Sequence, residues 1–585
     1  KYWSEKAQKS MKDHVDRIME SYGDGCQHCV TEEGKEVIPV CSMWDPVVAV
    51  SFDEEGQNRY RSYLKKLYHG EIEELNKNYD IQAENFESLT PQEYWYGVKY
   101  PEDAFYTEED VRKRTPKFYV WRDNTLWKIH EMTEYFKKIG PKLKEKNPDL
   151  FLCPDLSQWG YFLNIFGREQ QDLDNEFSDL WDTAVRGIDM YALAPYLDSC
   201  HFIAVPVTPD GIADAYVVSC QHSMMRVMNQ DKPMTGGIYW GRYIYNDIYV
   251  QLTPAEIIGS MTACGMDGYT CYGMNGLDDG GVMNRMDEDF RESLRLANDW
   301  FAQVLPLRGN RKKKEIAVLF PSEMAHLEPF EVGNNKIRRL DLLGWYKVCC
   351  DLGYQVDVIS NHEIEGGALE QYQVLIVPVN DCYFAVEHSK MEEEIRRWTH
   401  NGGAVIHGPL DMLAENCFGI QGEECEKTPY RYGKVIIAQG ERFCRYEGGE
   451  ELAPYVDEKG SCVVKYTQEK GAVYSFGVEI GASYAAKNIP HVPYAQGNKE
   501  MYPIIQSRTT LVKDILMQHV TPASGICQRG IETAVYENGM VIVNHRSTPY
   551  VLPEKFLQEI YQYPWHGEQD GKGVLNGHEA VWVSF

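Results

Sequence analysis

The stretch Asp45-Pro46-Val47-Val48-Ala49-Val50-Ser51-Phe52-Asp53-Glu54-Glu55-Gly56 passes from a turn, through β-branched apolar residues, into three consecutive acids. A continuous apolar run bounded by Pro and Gly predicts a strand buried on both faces, as in a parallel sheet, with carboxylates at its carboxyl end. The segment YRSYLKKLYHGEIEELNKNYD follows at once and predicts a helix over 60–78; Tyr94, Trp95 and Tyr96 mark an aromatic loop beyond it. On the amino-terminal side, Met11, Val15, Ile18 and Met19 recur at the three-to-four spacing of one helix face, so 5–22 reads as a helix.

The alternation continues outward from this segment. A helix is expected over 124–146, strands over 150–154 and 201–207, a helix over 213–228, a strand over 233–239, a helix over 254–264, a strand over 268–272 and a helix over 288–304. Strands separated by helices imply right-handed crossovers and a parallel sheet. Each of the five strands ends in polar or acidic residues: Asp53-Glu54-Glu55, Asp155, Asp210, the loop 240–247, and 275–279. That is the active face of a (β/α)8-type barrel. Five strands do not close such a barrel, so about 80–100 further residues, carrying its first strands, are expected before residue 1.

From Lys314 the pattern restarts. Strands over 316–320, 355–359, 374–378 and 404–407, with helices over 335–352 and 387–399, predict a flavodoxin-like α/β unit. After about 435 the crossovers give way to strands such as 473–478 and one last helix, 509–518. The tail from Gly525 reads as hairpins, with 533–536 and 540–543 flanking Glu537-Asn538-Gly539. The expected division is a barrel over 1–310, a flavodoxin-like domain over 311–522 and a small antiparallel β domain over 523–585.

Composition narrows the function classes. The 585 residues carry 59 Lys plus Arg against 88 Asp plus Glu, a net charge of −29. Nucleic acid is not an expected partner, because phosphates require clustered cations and the only compact basic run is Arg311-Lys312-Lys313-Lys314. No window approaches a membrane span, and Lys1-Tyr2-Trp3-Ser4 lacks the apolar core of a signal peptide. The 16 Cys are scattered singly, unlike a disulfide scaffold, and point to a reducing cytoplasm.

The segment 45–80 resembles the fourth strand and following helix of the β-galactosidases of glycoside hydrolase family forty-two. There an Asn-Glu pair ends the strand and a Leu-rich helix follows; here Leu64-Lys65-Lys66-Leu67-Tyr68 and Leu75-Asn76 stand in that pattern. The family's domain order, a barrel, a flavodoxin-like trimerisation domain and a small β domain, also matches. The resemblance implies that Glu54 is the general acid/base and that Asp53 replaces the Asn that touches the sugar. It also implies a carbohydrate substrate and a homotrimer.

The family's nucleophile ends strand seven, after a Lys-Pro similar to Lys232-Pro233. Gly237, Ile238 and Tyr239 fill that position, and none is a carboxylate. Glycoside hydrolysis needs a second acid, about 5–5.5 Å from the first for retention or 6.5–9.5 Å for inversion. Asp278 and Asp279, in the Gly-flanked run NGLDDGG, are the first candidates, followed by Asp247 and Asp210. Sugar rings present apolar faces, so Trp44, Trp95, Trp159, Tyr239, Trp240 and Tyr272, at or beyond strand ends, are candidate platforms.

Cys26, Cys29 and Cys41, with His28, have partial zinc spacing, and the family often carries a small zinc-binding Cys cluster. Here the cysteines precede the Glu and a fourth ligand is missing, so no metal and no cofactor are expected. In the middle domain, Gly402-Gly403 and His407-Gly408 form no phosphate loop, and Cys382 lacks a recognisable His and Glu pair; the resemblance implies oligomerisation as the role of this domain. The expected function is a β-galactosidase-like glycosidase. A non-catalytic carbohydrate-binding or assembly protein, and a glycosidase of another sugar specificity, are the alternatives.

Overall fold

The computed structural model describes residues 3–26, 28–30, 34–40, 53–89, 106–156, 162–163, 186–209, 213–229, 232–239, 252–272, 288–311, 314–329, 332–379, 386–437, 440–485, 509–556, 560–561 and 573–585. Helix α1 (Glu5–Tyr22) leads into an antiparallel pair, β1 (Cys29–Val30) and β2 (Glu36–Val40). β2 pairs in parallel with β3 (Leu150–Leu152), Ile38 opposite Leu150. The expected strand 45–52 lies outside the described residues. β2 escaped the sequence reading because Pro39 interrupts a short, half-buried run, and Pro within a run argues against an inner strand.

A parallel bridge between Asp155 and His201 links β3 to β4 (Ile203–Ala204). β4 pairs with β5 (Thr235–Tyr239), and β5 with β6 (Gly268–Tyr272), both in parallel. Neighbours in space are thus neighbours in sequence from β2 to β6, the winding of a barrel wall. The connecting helices are α2 (Glu54–Leu67), α3 (Ile72–Tyr79), α4 (Glu108–Lys113) and α5 (Pro116–Lys144) before β3, then α6 (Tyr216–Asn229), α7 (Pro254–Cys264) and α8 (Glu288–Arg308).

The single helix expected over 60–78 is two. His69 (φ 51°) and Gly70 (φ 86°) turn left-handed, and the Gly70 amide closes on the Lys65 carbonyl at 2.8 Å, ending α2. α2 also starts six residues earlier than expected, because Asp53 caps it. α5 starts at Pro116, behind the cap Thr115, where an aromatic first turn hid its periodicity.

The second unit holds a seven-stranded sheet. β7 (Ile316–Leu319), β8 (Val356–Ile359), β9 (Val374–Val377), β10 (Ala404–His407) and β13 (Gly471–Phe476) run parallel in the order β8-β7-β9-β10-β13. That is the 2-1-3-4-5 order of flavodoxin-like folds. β11 (Glu450–Pro454) and β12 (Ser461–Gln468) extend it antiparallel. α9 (Val332–Asp351) and α10 (Ser389–His400) make two of the crossovers. The third unit is a four-stranded antiparallel sheet, β14 (Ile531–Val535), β15 (Gly539–Asn544), β17 (Glu579–Ser584) and β16 (Ile560–Tyr561) in spatial order. The expected turn closes its first hairpin, with Tyr536 N bonded to Gly539 O at 2.8 Å.

The units share buried polar chemistry as well as apolar packing. Every residue of α7 is buried, with Ala255, Ile258 and Ala263 against Val541, Val543, Ala580 and Trp582. At Gly259 a Cβ would lie 2.5 Å from the Ala580 Cβ, so only glycine lets the helix approach the sheet this closely. Beside this contact, His545 Nδ1 bonds Glu256 Oε1 at 2.9 Å and its Nε2 bonds Glu532 Oε2 at 3.0 Å. A ring that donates to a carboxylate from both nitrogens is an imidazolium. Burial disfavours the charged ring, yet the two acids raise His545 to about 10, while the two histidines hold Glu256 below its ordinary value.

This pairing predicts a pH-dependent stability. Because His545 is raised above its unfolded value, its contribution is whole below pH about 6.5 and is lost as pH rises through about 10. Because Glu256 is lowered, its share is present above pH 4.5 and is lost on further acidification. His545→Gln should cost roughly 3–5 kcal/mol, because it leaves two buried carboxylates without their shared cation. Thermal melts between pH 6 and 10 should show the wild-type midpoint falling with pH and the variant's falling less.

Candidate functional site

Asp53 takes an extended backbone (φ −73°, ψ 175°), and its carboxylate accepts the Gly56 amide at 3.0 Å, which makes it the N-cap of α2. Glu54 and Glu55 form the first turn, where the positive end of the helix dipole favours them. All three acids are exposed. The three acids open a helix, and the strand expected to precede them lies outside the described residues.

From Glu54 the helical period carries polar side chains along one stripe, through Asn58 and Ser62 to Lys66. This stripe and α5 bound an open groove of about 620 Å³. Arg59 reaches across it to Glu131 on α5 with two bonds, Nε to Oε2 at 2.8 Å and Nη2 to Oε1 at 3.0 Å. Glu131 is 2% exposed, so this bidentate pair neutralises a buried carboxylate. The Arg59 guanidinium also lies 5.0 Å above the Trp3 ring. Tyr63 stacks near His130, centroids 5.2 Å apart, and burial lowers the His130 pKa and raises that of the Tyr63 phenol.

Beneath the groove the helices are locked by shape and by one buried acid. Tyr60 packs edge-on to Trp127 at 4.9 Å, and Asp123 accepts from Tyr79 at 3.0 Å, from Tyr68, and from Arg122 Nε at 2.8 Å. Glu54 thus stands on a rigid helix pair. The described carboxylates that share its groove are its neighbour Glu55 and, across the groove, Glu131, already committed to Arg59. Sequence reasoning missed Asn58, Arg59 and Glu131. The i, i+4 stripe from Glu54 to Lys66 was available to it; the partnership of Arg59 with Glu131, 72 residues apart, was not.

At the barrel strands, Tyr239 and Tyr272 are register partners closing β5 and β6. Thr270 Oγ1 meets His201 Nε2 at 3.1 Å, spanning the glycines of β5. A Cβ at Gly236 would lie 2.5 Å from His222 Nε2, and one at Gly237 would lie 2.7 Å from Ile203 Cγ1. Packing therefore demands glycine at both positions and leaves no room there for a carboxylate. Lys232, read as part of a Lys-Pro signature, donates to the Leu197 carbonyl at 2.7 Å and to the Ala194 carbonyl, tying the preceding turn to β5. Trp44, Trp95, Trp159, Trp240, Asp210, Asp247, Asp278 and Asp279 lie outside the described residues.

Cys26 Sγ contacts the Tyr22 carbonyl at 3.4 Å, and His28 pairs with Glu36 at 2.9 Å. Cys41 lies outside the described residues. Among the described residues no three His, Cys, Asp or Glu side chains converge as metal ligands. In the middle unit, His407 is fully enclosed, bonded to Ser475 Oγ at 2.6 Å and the Gly408 carbonyl at 2.8 Å, and lowered to about 4 by burial. Gly403 is a packing glycine, since a Cβ there would lie 2.4 Å from the Trp398 ring.

No protein-family model matches the chain, and no curated protein is similar to it in sequence. Solved structures are similar in fold. A catalytic mutant of Gan42B, a GH42 β-galactosidase from G. stearothermophilus, superposes with a TM-score of 0.67 at 13% identity, over 100% of this chain and 82% of that one. The β-galactosidase from Rahnella sp. R3 gives 0.67 at 14% identity, over 100% and 82%. The polyextremophilic β-galactosidase from Halorubrum lacusprofundi gives 0.66 at 14%, over 100% and 83%. With its parallel barrel wall, flavodoxin-like sheet and antiparallel tail in that order, this chain has the fold of the GH42 β-galactosidases.

Proposed function

We propose that the protein is a glycoside hydrolase that removes terminal sugars from small neutral β-glycosides, galactosides first among them. The likeness of the whole chain to β-galactosidases of known structure, barrel and accessory domains together, carries this reading. In it Glu54 protonates the glycosidic oxygen, and Asp278 or Asp279 acts as nucleophile or as base toward water. Asp53 would cap α2 and meet a sugar hydroxyl. Trp44, Trp95, Trp159, Tyr239, Trp240 and Tyr272 would supply the apolar platforms.

A second reading keeps the fold and drops the hydrolysis. Two observations favour it: the packing glycines of β5, which leave no place for an acid, and the exposure of Glu54 on a helix turn. The protein would then bind saccharides or assemble without cutting them. Hydrolysis of an aryl β-galactoside separates the two. If the first reading holds, Glu54→Gln lowers kcat by about 10²–10⁴ without moving the melting midpoint, and Asp278→Asn or Asp279→Asn does the same. Wild-type protein that binds galactose and hydrolyses no aryl glycoside establishes the second.

Three further assignments belong to the first reading. The chain divides at about 310 and 522, the flavodoxin-like unit mediates a homotrimer, and the protein works in the cytoplasm, where the free thiols of the described cysteines are stable. No described helix is long and apolar enough to cross a membrane. Light scattering should give three times the chain mass of 67.4 kDa; a monomer mass at micromolar concentration would remove the trimer.

A further inference from the structure

A cavity of about 460 Å³ opens where the three units meet, away from the groove beside Glu54. Three carboxylates face it, and each is committed to donors within the protein. Asp214 accepts Lys347 Nζ and the Tyr216 amide, the latter at 2.9 Å. Glu256 accepts His545 at 2.9 Å and His578 at 2.8 Å. Asp351 accepts the hydroxyls of Tyr216 at 2.6 Å and of Tyr484, and the Gly530 amide at 2.8 Å. The acids are therefore structural, fixed by bonds that hold the walls together.

Lys347 on the same walls is spent on Asp214, and Arg529 lies 5.8 Å from the Tyr484 ring. Arg529 and Arg546 come from separate loops of the third unit, before β14 and after β15. Room for Arg546 is made by Gly530 (φ 75°), where a Cβ would lie 2.7 Å from the arginine Cγ. His578 is held in the left-handed region (φ 59°), a conformation of order 1–3 kcal/mol above the ordinary one for a residue with a side chain. Its Nδ1 is fixed on Glu256 while the ring stays 29% exposed at the cavity, and the Glu256 bond raises its pKa toward the charged form. α6 and α7 both begin at the cavity, so two helix dipoles present their positive ends to it.

Arg529, Arg546 and His578 thus line one cavity in a chain of net charge −29. We propose that the cavity is a binding site for a small anion bearing a phosphoryl or carboxylate group, gripped by Arg546, Arg529 and His578. The three gripping groups belong to the third unit, and the starts of α6 and α7 face them from the barrel. Arginine on such groups forms charge-assisted, often forked hydrogen bonds, and each is a tenfold or larger factor in affinity.

Calorimetric titration of the full chain with inorganic phosphate, and separately with citrate, against chloride at equal ionic strength tests this. One saturable site per chain is expected; heat with phosphate alone assigns phosphoryl chemistry, with citrate alone carboxylate chemistry, and with both the shared class. Arg546→Gln should weaken binding about tenfold or more, and Arg529→Gln, on a separate loop, should repeat the loss. Both variants should keep the wild-type melting midpoint in chloride while losing the rise in midpoint that the anion gives the wild type. No saturable heat with either anion, or undiminished affinity in the Arg529→Gln/Arg546→Gln double variant, overturns the proposal. Neither result depends on hydrolysis, so it stands or falls separately from the catalytic reading.

Discussion

The helix Pro254–Cys264 has no face in water, and the rest of the architecture is arranged around that fact. A barrel helix ordinarily covers strands on one side and meets solvent on the other. Here the outer side is roofed by the antiparallel sheet of the third unit, with Trp582 and Val543 over Ala255 and Ile258. A helix buried all round must satisfy each polar group it carries. Glu256 does so with two histidines from the roof, and Ser260 does so by donating to Glu532 at 2.8 Å. The closeness of the contact rests on Gly259, and its specificity on the imidazolium of His545.

The same economy of space governs the barrel wall. Gly236 and Gly237 are narrow points where His222 and Met266 press from one side and Ile203 from the other. A strand filled this tightly serves as scaffold at those positions. Within the groove along α2, Arg59 and Glu131 cancel one another, which leaves Glu54 with Glu55, Asn58, Ser62, Tyr63, Lys66 and His130 as its polar company.

Much of the fold was legible because period and punctuation agreed. The helix Glu5–Tyr22, the helix Pro254–Cys264 with its Thr253 cap and Gly265 stop, and the strands Gly268–Tyr272 and Ala404–His407 follow from apolar spacing and end signals alone. Illegible elements were those in which a local signal opposed a tertiary one. Pro39 hid β2, which pairs on one side with its near neighbour β1 and on the other with β3, more than a hundred residues along the chain. The left-handed turn at His69 was masked because only Gly70 announces it, and the apolar pattern runs on across the break. In the candidate site, Glu54 stood out as an acid next to a strand-like run. Its true local role, the first turn of a capped helix, depended on Asp53 closing on the Gly56 amide. The Arg59 and Glu131 pair and the junction of His545, Glu256 and Glu532 join residues too distant in sequence for any spacing rule to connect.

A barrel that lends one of its wall helices to a neighbouring sheet is not a free-standing module. Cutting the chain after the barrel would bare the Ile258, Ala263 and Trp300 surface and strand Glu256 without its histidines, so the last strands, Gly539–Asn544 and Glu579–Ser584, complete the first unit although they are made last. During synthesis the outer wall waits for the end of the chain. In evolution the two ends are bound to change together, each limiting what the other can become.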